Sequence, residues 1–115
     1  MQNKLFTILG ENIADPVLMF IRNYNKDAFE SNYNGGFLRM YEDYSYLNSS
    51  YITVCLRVDT SEISSNKIVV EVITGGASGS KFFDRLFGTE KRRIGDFEER
   101  LQLLCEQKGF TLEMK

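Results

Sequence analysis

The residues best suited to chemistry in this chain lie between positions 75 and 81, in the run Gly75-Gly76-Ala77-Ser78-Gly79-Ser80-Lys81. Glycines and small hydroxyls between a strand and a helix can turn several backbone N–H groups toward one anion. Ser78 and Ser80 would add hydroxyl donors, and Lys81 a charge. The ligand class for such a loop is an anion or a phosphorylated small molecule, held by Gly75, Gly76, Ser78, Gly79, Ser80 and Lys81. The spacing is not that of a Walker A loop, because Ser80 separates Gly79 from Lys81, and it is not Gly-x-Gly-x-x-Gly either. A sharp strand-to-helix connection that needs positive φ or close packing is the simpler use of the same glycines.

A second group is basic: Lys81, Arg85, Lys91, Arg92 and Arg93. It could face a phosphate or an acidic partner, but Asp84 and Glu90 partly cancel it, and a solvated face explains it as well. The thiols are Cys55 and Cys105. With no histidine in the chain there is no Ser-His-Asp or Cys-His pair and no histidine metal site. The cysteines have no CxxC spacing. Cys105 falls beside an apolar helix stripe and reads as a small buried hydrophobe. Cys55 falls among Thr53 and Arg57, where a nearby cation could lower its pKa and support a thiol-dependent reaction. Glu42-Asp43 and Glu98-Glu99 are sequence neighbours and do not face each other on a strand or helix, so neither forms an acid–base pair. No cofactor is called for.

The aromatics are six Tyr and nine Phe. Tyr41, Tyr44, Tyr46 and Tyr51 crowd two adjacent strand candidates. A stacking platform for single-stranded nucleic acid would need interleaved Arg and Lys, whereas this stretch offers only Arg39 against Glu42 and Asp43. The formal net charge of −2 also opposes phosphate binding. Cross-strand packing or a contact surface for a protein partner, including a second copy, fits better.

These residues need elements to position them. At 115 residues, 43% hydrophobic and 26% charged, the chain has the composition of one globular domain spanning 1–115. No apolar run approaches the ~20 residues of a membrane helix, and the first ten residues are too broken for a signal-peptide core. A cytoplasmic location with reduced thiols follows as the expectation. Residues 4–9 suggest a short strand. Asp15-Pro16 suggests a helix start, with Asp15 as N-cap. Ile13, Val17, Phe20, Ile21, Tyr24 and Ala28 make an apolar stripe on a helix over 16–29. Asn32 to Gly36 signals a turn. Residues 37–47 alternate, with Leu38, Met40, Tyr44 and Tyr46 opposite Phe37, Arg39, Tyr41 and Asp43. Residues 51–59 alternate more clearly, with Ile52, Val54, Leu56 and Val58 on one side. Residues 68–73 are β-branched. Short connections predict antiparallel hairpins. A closing helix over 94–108 carries Ile94, Phe97, Leu101 and Leu104, with Cys105 beside the stripe and Leu103 off it. Gly109 is a suitable stop, and residues 110–114 could add a strand.

The segment from Gly75 to Phe110 resembles the C-terminal half of a small bacterial family of uncharacterised domains. That family has a helix, three strands, a Gly-Gly-x-x-Gly turn, an aromatic pair, a Phe/Trp-Gly-x-Glu step and a closing helix. The matching residues here are Gly75, Gly76 and Gly79, then Phe82 and Phe83, then Phe87-Gly88-Thr89-Glu90, with Phe97 opening the helix. The chain departs from the pattern in Lys91-Arg92-Arg93 and in Phe87, where tryptophan is the expected choice of the Phe/Trp step. The resemblance implies a fold and no activity.

The expected fold is therefore α+β: an antiparallel sheet of three to five strands in the order (β)-α-β-β-β-α, with both main helices on one face. The expected function is non-enzymatic contact with a protein or a second copy, with Tyr41, Tyr44, Tyr46 and Tyr51 at the interface and no nucleic acid or membrane involved. Anion binding by the glycine loop and thiol chemistry at Cys55 are the alternatives.

Overall fold

The structure is a computed structural model that describes residues 1–45, 50–76 and 89–115. In chain order the elements are β1 (Gln2–Leu9), α1 (Ala14–Tyr24), β2 (Phe29–Tyr33), β3 (Gly36–Ser45), β4 (Ser50–Asp59), β5 (Lys67–Gly75), α2 (Thr89–Lys108) and β6 (Thr111–Met114). A single 3-10 turn, Ile63–Ser65, interrupts the connection from β4 to β5. The strands form one sheet in the order β2-β3-β4-β5-β1-β6, and every pairing is antiparallel. The α+β class and the antiparallel hairpins agree with the sequence reading. The strand count does not: six strands replace the expected three to five, and the order becomes β-α-β-β-β-β-α-β.

The extra strand β2 comes out of the expected helix over 16–29. The α1 helix stops at Tyr24 because Asn25 is extended and starts a turn. The Asn25 Oδ1 accepts from the Asp27 N–H at 3.1 Å, and its carbonyl accepts from Ala28 N–H at 3.3 Å. Such local bonds offer the backbone an alternative to the helix. Ala28 therefore leaves the stripe, and Phe29 opens a strand paired with Met40. At the other end the N-cap is Ile13, without a side-chain bond, and not Asp15. Asp15 and Pro16 sit inside the first turn, where amide hydrogens are unpaired anyway. The first helical bond, Val17 N–H to Ile13 carbonyl at 3.1 Å, begins just after the proline.

The β2–β3 hairpin closes through Asn34 and Gly35, with Tyr33 opposite Gly36. Gly35 takes φ +97°. Gly36 is pressed against β4 so closely that a Cβ there would lie 2.0 Å from the Val58 carbonyl oxygen. Only glycine allows that approach. Gly109 ends α2 with φ +74°, and Phe110 N–H returns to the Cys105 carbonyl at 2.9 Å.

One sheet face carries Phe6, Ile8, Ile52, Val54, Leu56, Val58, Ile68, Val70 and Val72, all fully buried. Ile13, Val17 and Ile21 of α1 and Ile94, Phe97, Leu101 and Cys105 of α2 complete this core. Phe97 is its hub. Its ring lies 5.6 Å from Phe6, 5.5 Å from Phe20 and 5.2 Å from Tyr24, in tilted and edge-on geometries that favour aromatic pairs.

Arg39 is the one charged side chain buried on this face among the described residues, at 7% exposure. It donates to Glu30 Oε1 at 2.8 Å across the β2–β3 pair, and to the carbonyls of Asn25 at 2.7 Å and Arg22 at 3.4 Å. The last carbonyls of a helix have no partner within it, and a cation suits that negative end. Arg39 thus ties the end of α1 to the edge strand. Its bond holds the Glu30 carboxyl below the usual range, with Arg22 adding to the effect.

Candidate functional site on the open face of the sheet

Among the described residues both helices pack on one side of the sheet, so the alternate residues of every strand face the other way. Register places these residues in rows across the strands. One row runs Phe29, Met40, Cys55, Ile73 and Asn3, from β2 to β1. Its first four members are apolar and cross four strands. Phe29 is 66% exposed and Met40 40%, whereas Cys55 and Ile73 are half-buried. The next row runs Ser31, Leu38, Arg57, Glu71 and Leu5. Toward the end of the β3–β4 pair, Tyr44 stands opposite Tyr51, with ring centroids 5.2 Å apart in edge-on geometry.

The charges in the middle of this face neutralise each other. Arg57 donates to Glu71 Oε1 through Nε at 3.0 Å and Nη2 at 2.8 Å, and Asn3 donates to Glu71 Oε2 at 3.0 Å. The Asn3 bond and then the Arg57 bond hold the Glu71 carboxyl below its usual range. The same pairing pushes the Arg57 guanidinium up. Tyr33 reaches over Gly36 to donate to the Val58 carbonyl at 3.2 Å. The face is therefore an apolar stripe between this self-satisfied polar row and a row of Glu42, Thr53 and Gly75, in which Glu42 is exposed.

The four tyrosines expected at an interface do not form one patch. Tyr44 and Tyr51 are on the open face. Tyr41 points to the helix side, where it is half-buried. Burial, with Asp43 second, pushes its hydroxyl up to about 12. Tyr46 lies outside the described residues. Phe29 and Ile73, which the sequence reading did not put on an interface, are the residues that extend the stripe.

Of the glycine loop, Gly75 and Gly76 are described. Gly75 closes β5 opposite Thr53, and Gly76 takes φ +75° with the Thr53 side chain beneath it. Ser78, Gly79, Ser80 and Lys81 lie outside the described residues, as do Arg85 and the resemblance residues Phe82, Phe83, Phe87 and Gly88. Of the basic cluster, Lys91 and Arg92 are exposed, and Arg93 pairs with Asp43 at 3.0 Å.

At Cys55 the expected lowering of the pKa by a nearby cation does not hold. Burial and then the Glu71 carboxylate push its thiol up, against a smaller opposing effect of Arg57. Cys105 is pushed up by burial alone. The two thiols lie on opposite faces of the sheet. No group of His, Cys, Asp or Glu fit to hold a metal ion occurs among the described residues, and none of their helices is long and apolar enough to cross a membrane.

On the helix side, Tyr24 donates to Asp96, and burial together with that bond raises its hydroxyl far above the ordinary range. Arg100 bonds the same carboxylate at 3.4 Å and lies over the Tyr24 ring, 5.6 Å from its centroid. Lys4 pairs with Glu98. These contacts lock α2 to α1 and β1. No family model, no curated protein and no solved structure matches the chain.

Proposed function

We propose that this chain is a non-enzymatic protein-contact module that associates with itself through the open face of its sheet. One observation carries the reading: the Phe29–Met40–Cys55–Ile73 stripe, which crosses four strands on the side away from both helices. A contiguous apolar patch rimmed by polar residues is how a protein-contact surface presents itself. Tyr44 and Tyr51 stand on the same face beyond Glu42 and Thr53, and the Arg57–Glu71 pair beside the stripe needs no outside partner. In this reading the protein works in the cytoplasm with both thiols reduced, and it engages neither nucleic acid nor membrane.

Size-exclusion with light scattering tests the proposal. The wild-type chain should run at twice its 13.3 kDa mass at tens of micromolar. Phe29→Lys and Met40→Lys, both at exposed positions, should shift it to the monomer with unchanged circular dichroism. A strict monomer at high concentration overturns the reading. The second reading, anion binding at Gly75–Lys81, rests on the left-handed Gly76 at the mouth of the loop. Thermal shift with phosphate, sulfate and nucleotides tests it, and no rise at millimolar ligand removes it.

A further inference from the structure

We infer that the two copies pack sheet on sheet, the Phe29–Met40–Cys55–Ile73 row of one crossing the same row of the other, with Cys55 facing its symmetry mate across the interface. This inference rests on the self-association reading above and specifies its geometry.

Area comes first. Five strands, β2 to β1, spaced about 4.8 Å and each about 17–33 Å long, present roughly 700 Å² of face. A standard-size interface buries about 600–1,000 Å² per partner, so nearly the whole face is needed and a grazing contact is not enough. Edge pairing through β2 offers far less, because that strand has only five residues.

Symmetry comes next. A two-fold contact uses the same patch on both copies. For two sheets to meet face to face, the axis must lie in the plane between them. Whether the axis runs along the strands or across them, the apolar row overlaps itself only when that row sits at the centre. The row spans β2 to β5, and Cys55 is on β4, half a strand spacing from its middle. Stacked sheets lie about 10 Å apart, so the two Cys55 Cα atoms come about 10–11 Å apart for either axis. Charge agrees with this arrangement. The Arg57–Glu71–Asn3 set satisfies itself, so covering it leaves the Glu71 carboxylate paired. Exposed Glu42 lies on the other side of the row. An axis across the strands exchanges the two sides and brings Glu42 against the Leu38–Arg57 side of the second copy, avoiding the unpaired carboxylate that is the costly outcome at an interface.

The distance makes a specific test. Disulfides need Cα atoms within about 7 Å. Copper-catalysed oxidation should therefore leave the dimer unlinked, while a short bismaleimide should move most of the chain to a covalent dimer. The reaction is run on the full chain near the monomer–dimer midpoint, and mass spectrometry verifies that Cys55 carries the reagent. Cys55→Ser should abolish the bridge, since Cys105 is buried on the other face. Cys55→Ser combined with Ser31→Cys places a thiol on the β2 edge, about 17 Å from its mate in the stacked dimer, and should stay unbridged. A light-scattering dimer that bridges through Ser31→Cys, through neither position, or by disulfide at Cys55 overturns the stacked geometry and leaves self-association standing. A monomer by light scattering overturns both.

Discussion

Arg39→Met removes the guanidinium that joins α1 to the edge strand while keeping the length of the side chain. Three bonds disappear: to Glu30 at 2.8 Å, to the Asn25 carbonyl at 2.7 Å and to the Arg22 carbonyl at 3.4 Å. Breaking a buried ion pair costs about 3–5 kcal/mol. Glu30 is a quarter exposed and keeps Arg22 at 3.3 Å, which pulls the figure toward the lower end. The orphaned carbonyls can turn to water at the helix end. The net loss is about 3 kcal/mol, which at this chain length lowers Tm by roughly 12 °C. A double-mutant cycle with Glu30→Gln should give a coupling of about 1–2 kcal/mol, because the partners touch. The pH dependence has a definite sign. Glu30 is held below its ordinary range, so its contribution is present above the unfolded carboxyl pKa and is lost as pH falls through the folded value. The gap between wild type and Arg39→Met should therefore be full at pH 7 and shrink as pH drops below about 4. Thermal unfolding followed by circular dichroism at several pH values measures both effects. A Tm change under about 3 °C at pH 7, or a gap that does not narrow in acid, refutes the assignment of Arg39 as the tie.

Two further predictions follow from particular contacts. Gly36→Ala puts a methyl group 2.0 Å from the Val58 carbonyl oxygen, so the β3–β4 pair must shift; denaturant unfolding should show a loss of about 2 kcal/mol or more, typical of overpacking. At neutral pH both thiols should react with Ellman's reagent more slowly than a free cysteine, Cys105 slowest, with rates climbing above pH 9 as the raised thiols ionise. Rapid labelling of Cys55 at pH 7 would return thiol chemistry to consideration.

The residues that alternate most regularly were the easiest to place. Ile52, Val54, Leu56 and Val58 face the helices as their spacing predicts, because a strand with one covered face has a period of two. The stripe of α2 was equally plain, including exposed Leu103 beside buried Leu101. The edges of the sheet were harder to read. Phe29-Glu30-Ser31-Asn32-Tyr33 has only five residues and follows a helical pattern that Tyr24 and Ala28 extend by spacing alone. The clue was the Asn34-Gly35 pair: a two-residue hairpin turn demands a strand on both sides. Without β2, Phe29 could not be paired with Met40, and the stripe across the open face stayed invisible. Alternation groups Arg39 with Phe37, Tyr41 and Asp43 without saying which side is covered, and its role depends on helix carbonyls brought from positions 22 and 25, which no local pattern reveals.

The position of β1 bears on how the chain acquires this shape. It lies between β5 and β6, and Leu5 exchanges both backbone bonds with Lys115. During synthesis β1 therefore waits for neighbours made about half of this sequence or more later. Such long-range closure slows folding, so the β2–β5 meander is the part expected to assemble first, with the opening strand slotting in last as a latch.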